Sequence, residues 1–144
     1  MNTPAMDNLS CGVVVVRHTP AGPLLLMLRA FSNWDFPKGM LEEGETPKQA
    51  AMREVAEEST ITEIEFAWGD ISLDTGPYGH GKTARYFIGV TSQDAVTLPV
   101  NPEIGRPEHH EWRWLSFDEA RSLATPRVEA VLDWAEKQLN NLPE

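Results

Sequence analysis

Residues 46 to 59 constrain the fold of this chain more than any other stretch. Thr46-Pro47-Lys48-Gln49 is a capping box with proline at the first helical position, so a helix is expected to start there and to run to about Ser59. At about 3.6 residues per turn, Glu54, Glu57 and Glu58 stand at i, i+3 and i+4 and share one face. Ala51, Met52 and Val55 take another face, suited to packing on a sheet. Three carboxylates crowded into about one turn repel one another by roughly several tenths of a kcal/mol per pair. On a bare helix such a face is commonly just solvated; it makes chemical sense where it collects hard divalent cations, since magnesium and manganese prefer oxygen ligands. Arg53 can reach Glu57 from one turn earlier and hold that carboxylate in position.

The stretch before the helix, Pro37-Lys38-Gly39-Met40-Leu41-Glu42-Glu43-Gly44-Glu45, carries two glycines that permit tight backbone geometry. A carbonyl near Gly39 can face the same cations, and Lys38 sits where it can meet phosphate oxygens. The register of Gly39, Glu45, Arg53, Glu54, Val55, Glu57, Glu58 and Ile61 resembles the Nudix motif. At residue frequencies of roughly 5–7% each, the six invariant-type matches arise by chance on the order of once in ten million starting positions. One position departs: Thr60 stands where the family has glycine, which suits a left-handed helix cap that a β-branched residue disfavours.

The resemblance implies an α/β/α sandwich around a mixed sheet. It implies that Gly39, Glu54, Glu57 and Glu58 bind Mg2+ (or Mn2+), that Arg53 orients a glutamate, and that Glu45 tethers the loop. One of the motif glutamates, or a glutamate from a distal loop, would deprotonate the attacking water. Closer likeness points to the asymmetric diadenosine tetraphosphate hydrolases. Trp34-Asp35-Phe36-Pro37-Lys38-Gly39 is similar to their lead-in, and Thr83-Ala84-Arg85-Tyr86-Phe87 to their substrate-side strand, where the residue matching Tyr86 stacks on adenine. Pro107-Glu108-His109-His110-Glu111-Trp112-Arg113-Trp114-Leu115 is similar to their distal loop, which makes Glu108 a catalytic candidate. Bland readings stand beside these: Tyr86 as core packing, Lys82 and Arg85 as strand-edge charges rather than phosphate contacts, His109 and His110 as solvated loop residues rather than metal ligands, Trp114 as core.

The rest of the chain fits an α+β domain. Strands are expected at Val13 to Arg17, Leu24 to Arg29, Ile64 to Ile71, Thr83 to Thr91 and Glu111 to Leu115, with Asp74 to Gly81 as a connecting stretch. A short helix opens at Ser116-Phe117-Asp118-Glu119, and a last one spans Pro126 to Leu139 with Val128, Val131, Leu132 and Leu139 on its apolar side. Residues 1–10 read as a flexible N-terminal segment and 11–144 as one domain. The lone Cys11 reads as a small core residue.

A formal net charge of −10 leaves no basic surplus for a DNA-binding face, so a polyanionic substrate must be neutralised locally. With no membrane-length apolar run, no membrane partner and a cytoplasmic location are expected. The expected substrate is a small nucleotide polyphosphate, and monomer and homodimer both stay open. The leading expectation is asymmetric cleavage of a dinucleoside polyphosphate, diadenosine tetraphosphate giving ATP and AMP. Removal of pyrophosphate from RNA 5′ ends, pyrophosphatase action on nucleoside triphosphates, and nucleotide sensing without turnover are the alternatives. Sensing modules usually lose motif glutamates, and all are present here.

Overall fold

Residues 8–141 are described in a computed structural model. Strand β1 (Leu9–Thr19) is central because both of its faces are covered: Val13, Val14, Val15 and Val16 are all fully buried. That is why it reads as a continuous apolar run rather than an alternating one. Its hairpin partner is β2 (Gly22–Ala30), in register Val16↔Leu25 and Arg17↔Leu24. On the other side β6 (Lys82–Val90) runs parallel to it, and β5 (Ser72–Tyr78) closes that edge antiparallel to β6. Strands β3 (Asn33–Asp35) and β9 (Glu111–Leu115) both pair with β2, and β4 (Lys38–Met40) pairs with the start of β1. A separate short ribbon joins β7 (Val100–Asn101) to β8 (Arg106–Pro107).

Alternation along β1 divides the core. Val14 and Val16 face helix α3 (Pro126–Asn140), which contributes Val128, Val131, Leu132, Ala135 and Leu139 along one stripe. Leu9, Cys11, Val13 and Val15 face helix α1 (Pro47–Ser59) through Ala50, Ala51 and Val55. Short helix α2 (Phe117–Leu123) packs beside α3 through Phe117 and Ala120. The sheet therefore lies between helical layers, an α/β/α sandwich of the α+β class, with each fully buried large side chain worth about 1.5–3 kcal/mol.

Several expectations change. β1 starts at Leu9, inside the stretch read as a flexible N-terminal segment; the rest of that expectation, residues 1–7, lies outside the described residues. No strand forms over Ile64 to Ile71, which holds only a single bridge, Glu65↔Val90. Ile64 and Phe66 still pack on the α1-side core, Ile64 over the bare Cα of Gly89, so the apolar pattern there belongs to a packed loop. The strand lies instead at β5, in the stretch read as a connection. A register shift between Thr75 and Tyr78 accommodates Gly76 and Pro77 on this edge strand, where a missing N–H costs no ladder bond. Met52 is 39% exposed, and Ala50 takes the packing place expected of it. Trp114 is only partly buried, its indole N–H donating to the Asp94 carbonyl at 3.0 Å.

Helix α1 begins on its capping box: Gln49 N–H donates to Thr46 Oγ1 at 3.2 Å and Thr46 N–H donates to Gln49 Oε1 at 2.9 Å. It ends at Thr60 with φ 65° and ψ 9°, a left-handed cap. The Thr60 hydroxyl accepts a long bond of 3.3 Å from Thr97 N–H, which offsets part of the steric cost. A left-handed non-glycine residue costs about 1–2 kcal/mol and such a bond returns roughly 0.5–1 kcal/mol. Thr60→Gly is therefore expected to raise stability by up to about 1 kcal/mol in urea melts; a lower midpoint would mean the Thr97 contact dominates.

Candidate active site

The carboxylate face of α1 stands over β4 because Glu54 has a seat there. An ideal Cβ on Gly39 would overlap the Glu54 carboxyl group, so only a residue without a side chain leaves room for that carboxyl where it lies. Arg53 ties the assembly together. Its guanidinium forks onto Glu45, with Nε to Oε2 at 2.6 Å and Nη2 to Oε1 at 3.0 Å, and reaches Glu54 at 2.7 Å and Glu57 at 3.2 Å. Nη2 also donates to the Met40 carbonyl at 3.0 Å, and Glu42 N–H donates to Glu45 Oε1 at 3.0 Å. Arg53 thus grips the loop more firmly than it grips Glu57, the partner expected from helical spacing.

Glu54, Glu57 and Glu58 border one cavity of about 720 Å3, together with Glu108 and His109 from the segment after β8. Glu57 is the most open of the three, whereas Glu58 is 9% exposed and accepts a bond from Lys38 N–H at 3.2 Å. Ligand atoms of Glu58, Glu108 and His109 all lie within 4.8 Å of one another. The electrostatics follow from this crowding. Burial, then the charges of Glu108 and Glu54, push the Glu58 carboxyl up to about 9, against the pull of Lys38. Burial also raises Glu54, with Arg53 opposing, and lowers the His109 imidazole. A carboxyl whose burial disfavours a lone negative charge, beside further oxygen donors and one imidazole nitrogen, fits a hard divalent cation well.

A second cavity, of about 410 Å3, adjoins the first and shares Glu108 and His109 with it. Lys38, Tyr78 and Arg127 border it, and Phe31, 71% exposed, stands at its rim with a left-handed φ of 57°. The Tyr78 ring lies 4.4 Å from the Arg127 guanidinium carbon and 5.9 Å from Lys38 Nζ, and its buried hydroxyl has no partner among the described residues.

Not every expected residue arrives here. Tyr86 is fully buried on the α3 side of the sheet, its hydroxyl donating to Asp35 Oδ1 at 2.9 Å and accepting from Arg127 at 2.7 Å. Its ring packs edge-on against Phe36 and has no face open to a base, so the stacking role is replaced by a core role. Arg85, on the opposite face of β6, is held by both carboxylate oxygens of Asp74 at 2.8 and 3.0 Å. Lys82 is exposed at the start of the strand, and neither residue borders either cavity. His109, in contrast, belongs to the carboxylate cluster rather than to open solvent, while His110 meets Phe31 edge-on at 5.1 Å. Asp35, Tyr78 and Arg127 were not among the expected site residues. Asp35 lies inside a stretch that signalled the site, but Tyr78 and Arg127 carry no local pattern that points to one another.

A family model described as NUDIX domain matches residues 8–135. The chain belongs to the Nudix hydrolase family. Among similar Nudix proteins, an RNA pyrophosphohydrolase of Caulobacter vibrioides is 33% identical over 116 residues, covering 70% of this chain and 66% of that protein. A counterpart of the same name from Shewanella sediminis is matched over only 57% of its length, so the chain spans under two thirds of these relatives. An asymmetrical bis(5′-nucleosyl)-tetraphosphatase of Caenorhabditis elegans is 29% identical over 122 residues, covering 80% of this chain and 83% of that one. In three dimensions, a C. elegans Ap4A hydrolase solved as a binary complex matches with a TM-score of 0.76 at 24% identity, covering 92% of this chain and 99% of the other. That similarity establishes the Nudix fold. Among the described residues no helix is long and apolar enough to cross a membrane.

Proposed function

We propose that this chain is a divalent-metal-dependent hydrolase of dinucleoside polyphosphates that cuts asymmetrically, giving ATP and AMP from diadenosine tetraphosphate. One observation carries the reading: the carboxylate cavity shares Glu108 and His109 with a recess that combines two cations with aromatic surface. A phosphate chain anchored at the carboxylates would extend toward Lys38, and a nucleoside would lie against Tyr78 or Phe31. Stacking on such a face contributes about 1–3 kcal/mol per base. The scissile bond would then sit at a set distance from the bound nucleoside, which makes the products unequal.

Glu54, Glu57 and Glu58, with Glu108, His109 and the Gly39 carbonyl, would hold magnesium or manganese. When bound, the metal supplies charge neutralisation on phosphoryl oxygens and acidifies water. The chain's own residues do the rest. Arg53 keeps Glu54 and Glu57 pointed into the cavity, Lys38 meets a phosphate oxygen, and Glu108, the accessible carboxylate shared by both cavities, accepts the proton of the attacking water. Burial around Glu58 lets that carboxyl keep or release a proton near neutral pH as cations leave or arrive.

The identity to the Caulobacter protein supports a second reading, removal of pyrophosphate from RNA 5′ ends. The charge of −10 weighs against a long RNA partner, as does Lys38, where that group typically carries glutamine. Purified protein with magnesium in heavy-oxygen water separates the two. The expected result is ATP and AMP from diadenosine tetraphosphate, with the label in one product only. Two ADP molecules, or turnover confined to triphosphorylated RNA, would put the second reading first.

A further inference from the structure

Asp35 is one carboxylate between two cations. Its Oδ1 accepts hydrogen bonds from Phe36 N–H at 2.7 Å and from the Tyr86 hydroxyl at 2.9 Å. Its Oδ2 accepts one from Arg127 Nη2, and Lys38 Nζ stands 3.8 Å from that same oxygen, too far for a hydrogen bond. Arg127 is well occupied: Nη1 also donates to the Tyr86 hydroxyl at 2.7 Å and to Thr75 Oγ1 at 3.3 Å, and the guanidinium lies over Tyr78. The Lys38 ammonium, by contrast, makes no hydrogen bond among the described residues, and no carboxylate other than Asp35 lies within 4.0 Å of it. All three side chains are at most 24% exposed, so solvent screens their mutual attraction only in part.

These contacts set up a competition. An Asp35 carboxylate without Arg127 would have one remaining cation in reach, and Lys38 would need to move by only about 1 Å to bond with it. We propose that Arg127 is a positioning residue: by occupying Asp35, it keeps that carboxylate from closing on Lys38 and leaves the ammonium free for a substrate phosphate. The inference rests on the reading of Lys38 as a phosphate contact. It assigns to the first turn of α3, on the opposite side of the sheet from the motif helix, control over how strongly the phosphate chain is held. It also accounts for a cation spent on an internal pair in a chain that has few to spare.

The test uses steady-state kinetics on diadenosine tetraphosphate and calorimetric affinity for β,γ-methylene-ATP, both with magnesium. Arg127→Gln is expected to raise KM and Kd about tenfold, equivalent to about 1.4 kcal/mol, with kcat within about twofold of the parent. Asp35→Asn removes the competitor and should lower both constants several-fold. The double variant should return to within about twofold of the parent, and Arg127→Lys, which keeps the charge, should stay near it. A mere structural strut predicts the opposite pattern: Asp35→Asn would raise KM, and the double variant would be worse than either single one; that pattern overturns the proposal. Should Arg127→Gln not fold, the Asp35→Asn arm decides alone. Lys38→Ala separates the phosphate contact of Lys38 from the positioning role of Arg127. If it leaves Kd unchanged, the phosphate reading of Lys38 falls and the positioning role falls with it. If it raises Kd while Arg127→Gln does not, only the positioning role is lost.

Discussion

Glu58→Gln is expected to lower turnover by about a hundredfold or more while making the metal-free protein more stable at pH 8. The two effects have one origin. Burial and the neighbouring charges of Glu108 and Glu54 raise the folded-state pKa of Glu58 from 4.5 to about 9. A raised carboxyl pKa means that the fold favours the protonated form. The stability this group contributes is fully present below pH 4.5 and is lost as pH climbs toward 9. Glutamine stays neutral throughout and does not suffer that loss. In chelator, thermal melts of the two proteins should nearly coincide around pH 4.5 and diverge above it, the variant melting several degrees higher at pH 8, at roughly 2–4 °C per kcal/mol. Adding magnesium should stabilise the parent at pH 8 far more than the variant, since the cation replaces the proton. Parallel melting curves from pH 5 to 8, or full turnover by the variant, would show that Glu58 does not serve as a buried metal ligand.

Gly39→Ala should abolish most activity with little change in stability, the reverse of an ordinary core substitution. The added methyl would collide with the Glu54 carboxyl, the far end of a flexible side chain, so the fold can yield by turning that side chain away. Turning it away breaks its 2.7 Å bond to Arg53 and removes one carboxylate from the cavity. Turnover should fall about a hundredfold, with half-maximal activity shifted to higher magnesium, while the melting temperature moves by no more than about 4 °C. Gly12→Ala makes the informative contrast. Its Cβ would lie 2.5 Å from the Pro37 carbonyl oxygen and 2.6 Å from Lys38 Cβ, and backbone has no easy way to give. That change should cost about 1–3 kcal/mol by forcing β1 and β4 apart. Equal loss of stability in the two variants would mean that Glu54 is more rigidly seated than its single guanidinium contact suggests.

The residues that were legible in sequence are those whose signals are local. A capping box acts within four residues, so the start of α1 needed no tertiary information. Helical periodicity alone brings Glu54, Glu57 and Glu58 to one face, and the spacing to Gly39 and Glu45 marks the loop that Arg53 grips. Thr60 was not legible in this way: a β-branched residue at a glycine position argues against a left-handed cap, and only the structure shows that the cap forms nonetheless. Where the local pattern is ambiguous, structure and pattern part. Ile64 and Phe66 have strand-like chemistry but pack as a loop on Gly89 and the α1-side core. The strand at β5 was hidden by Gly76 and Pro77, which an edge position and a bulge make acceptable.

Tyr86 and Arg127 mark where sequence stops being sufficient. Period-two alternation assigns Arg85 and Tyr86 to opposite faces of β6, but only the packing of α3 decides that the tyrosine face is closed. Arg127 meets Asp35 across 92 positions of chain, a pairing fixed by the docking of α3 on the sheet and by nothing in either residue's neighbourhood. The sequence by itself determined the carboxylate-bearing helix, its N-terminal cap and the family, because hydrogen bonds and side-chain spacing within a few residues suffice for those. Which cations reach the recess, which aromatic faces it, and which carboxylate they share were decided by tertiary structure, because those contacts depend on how separate elements stack to bury a common core.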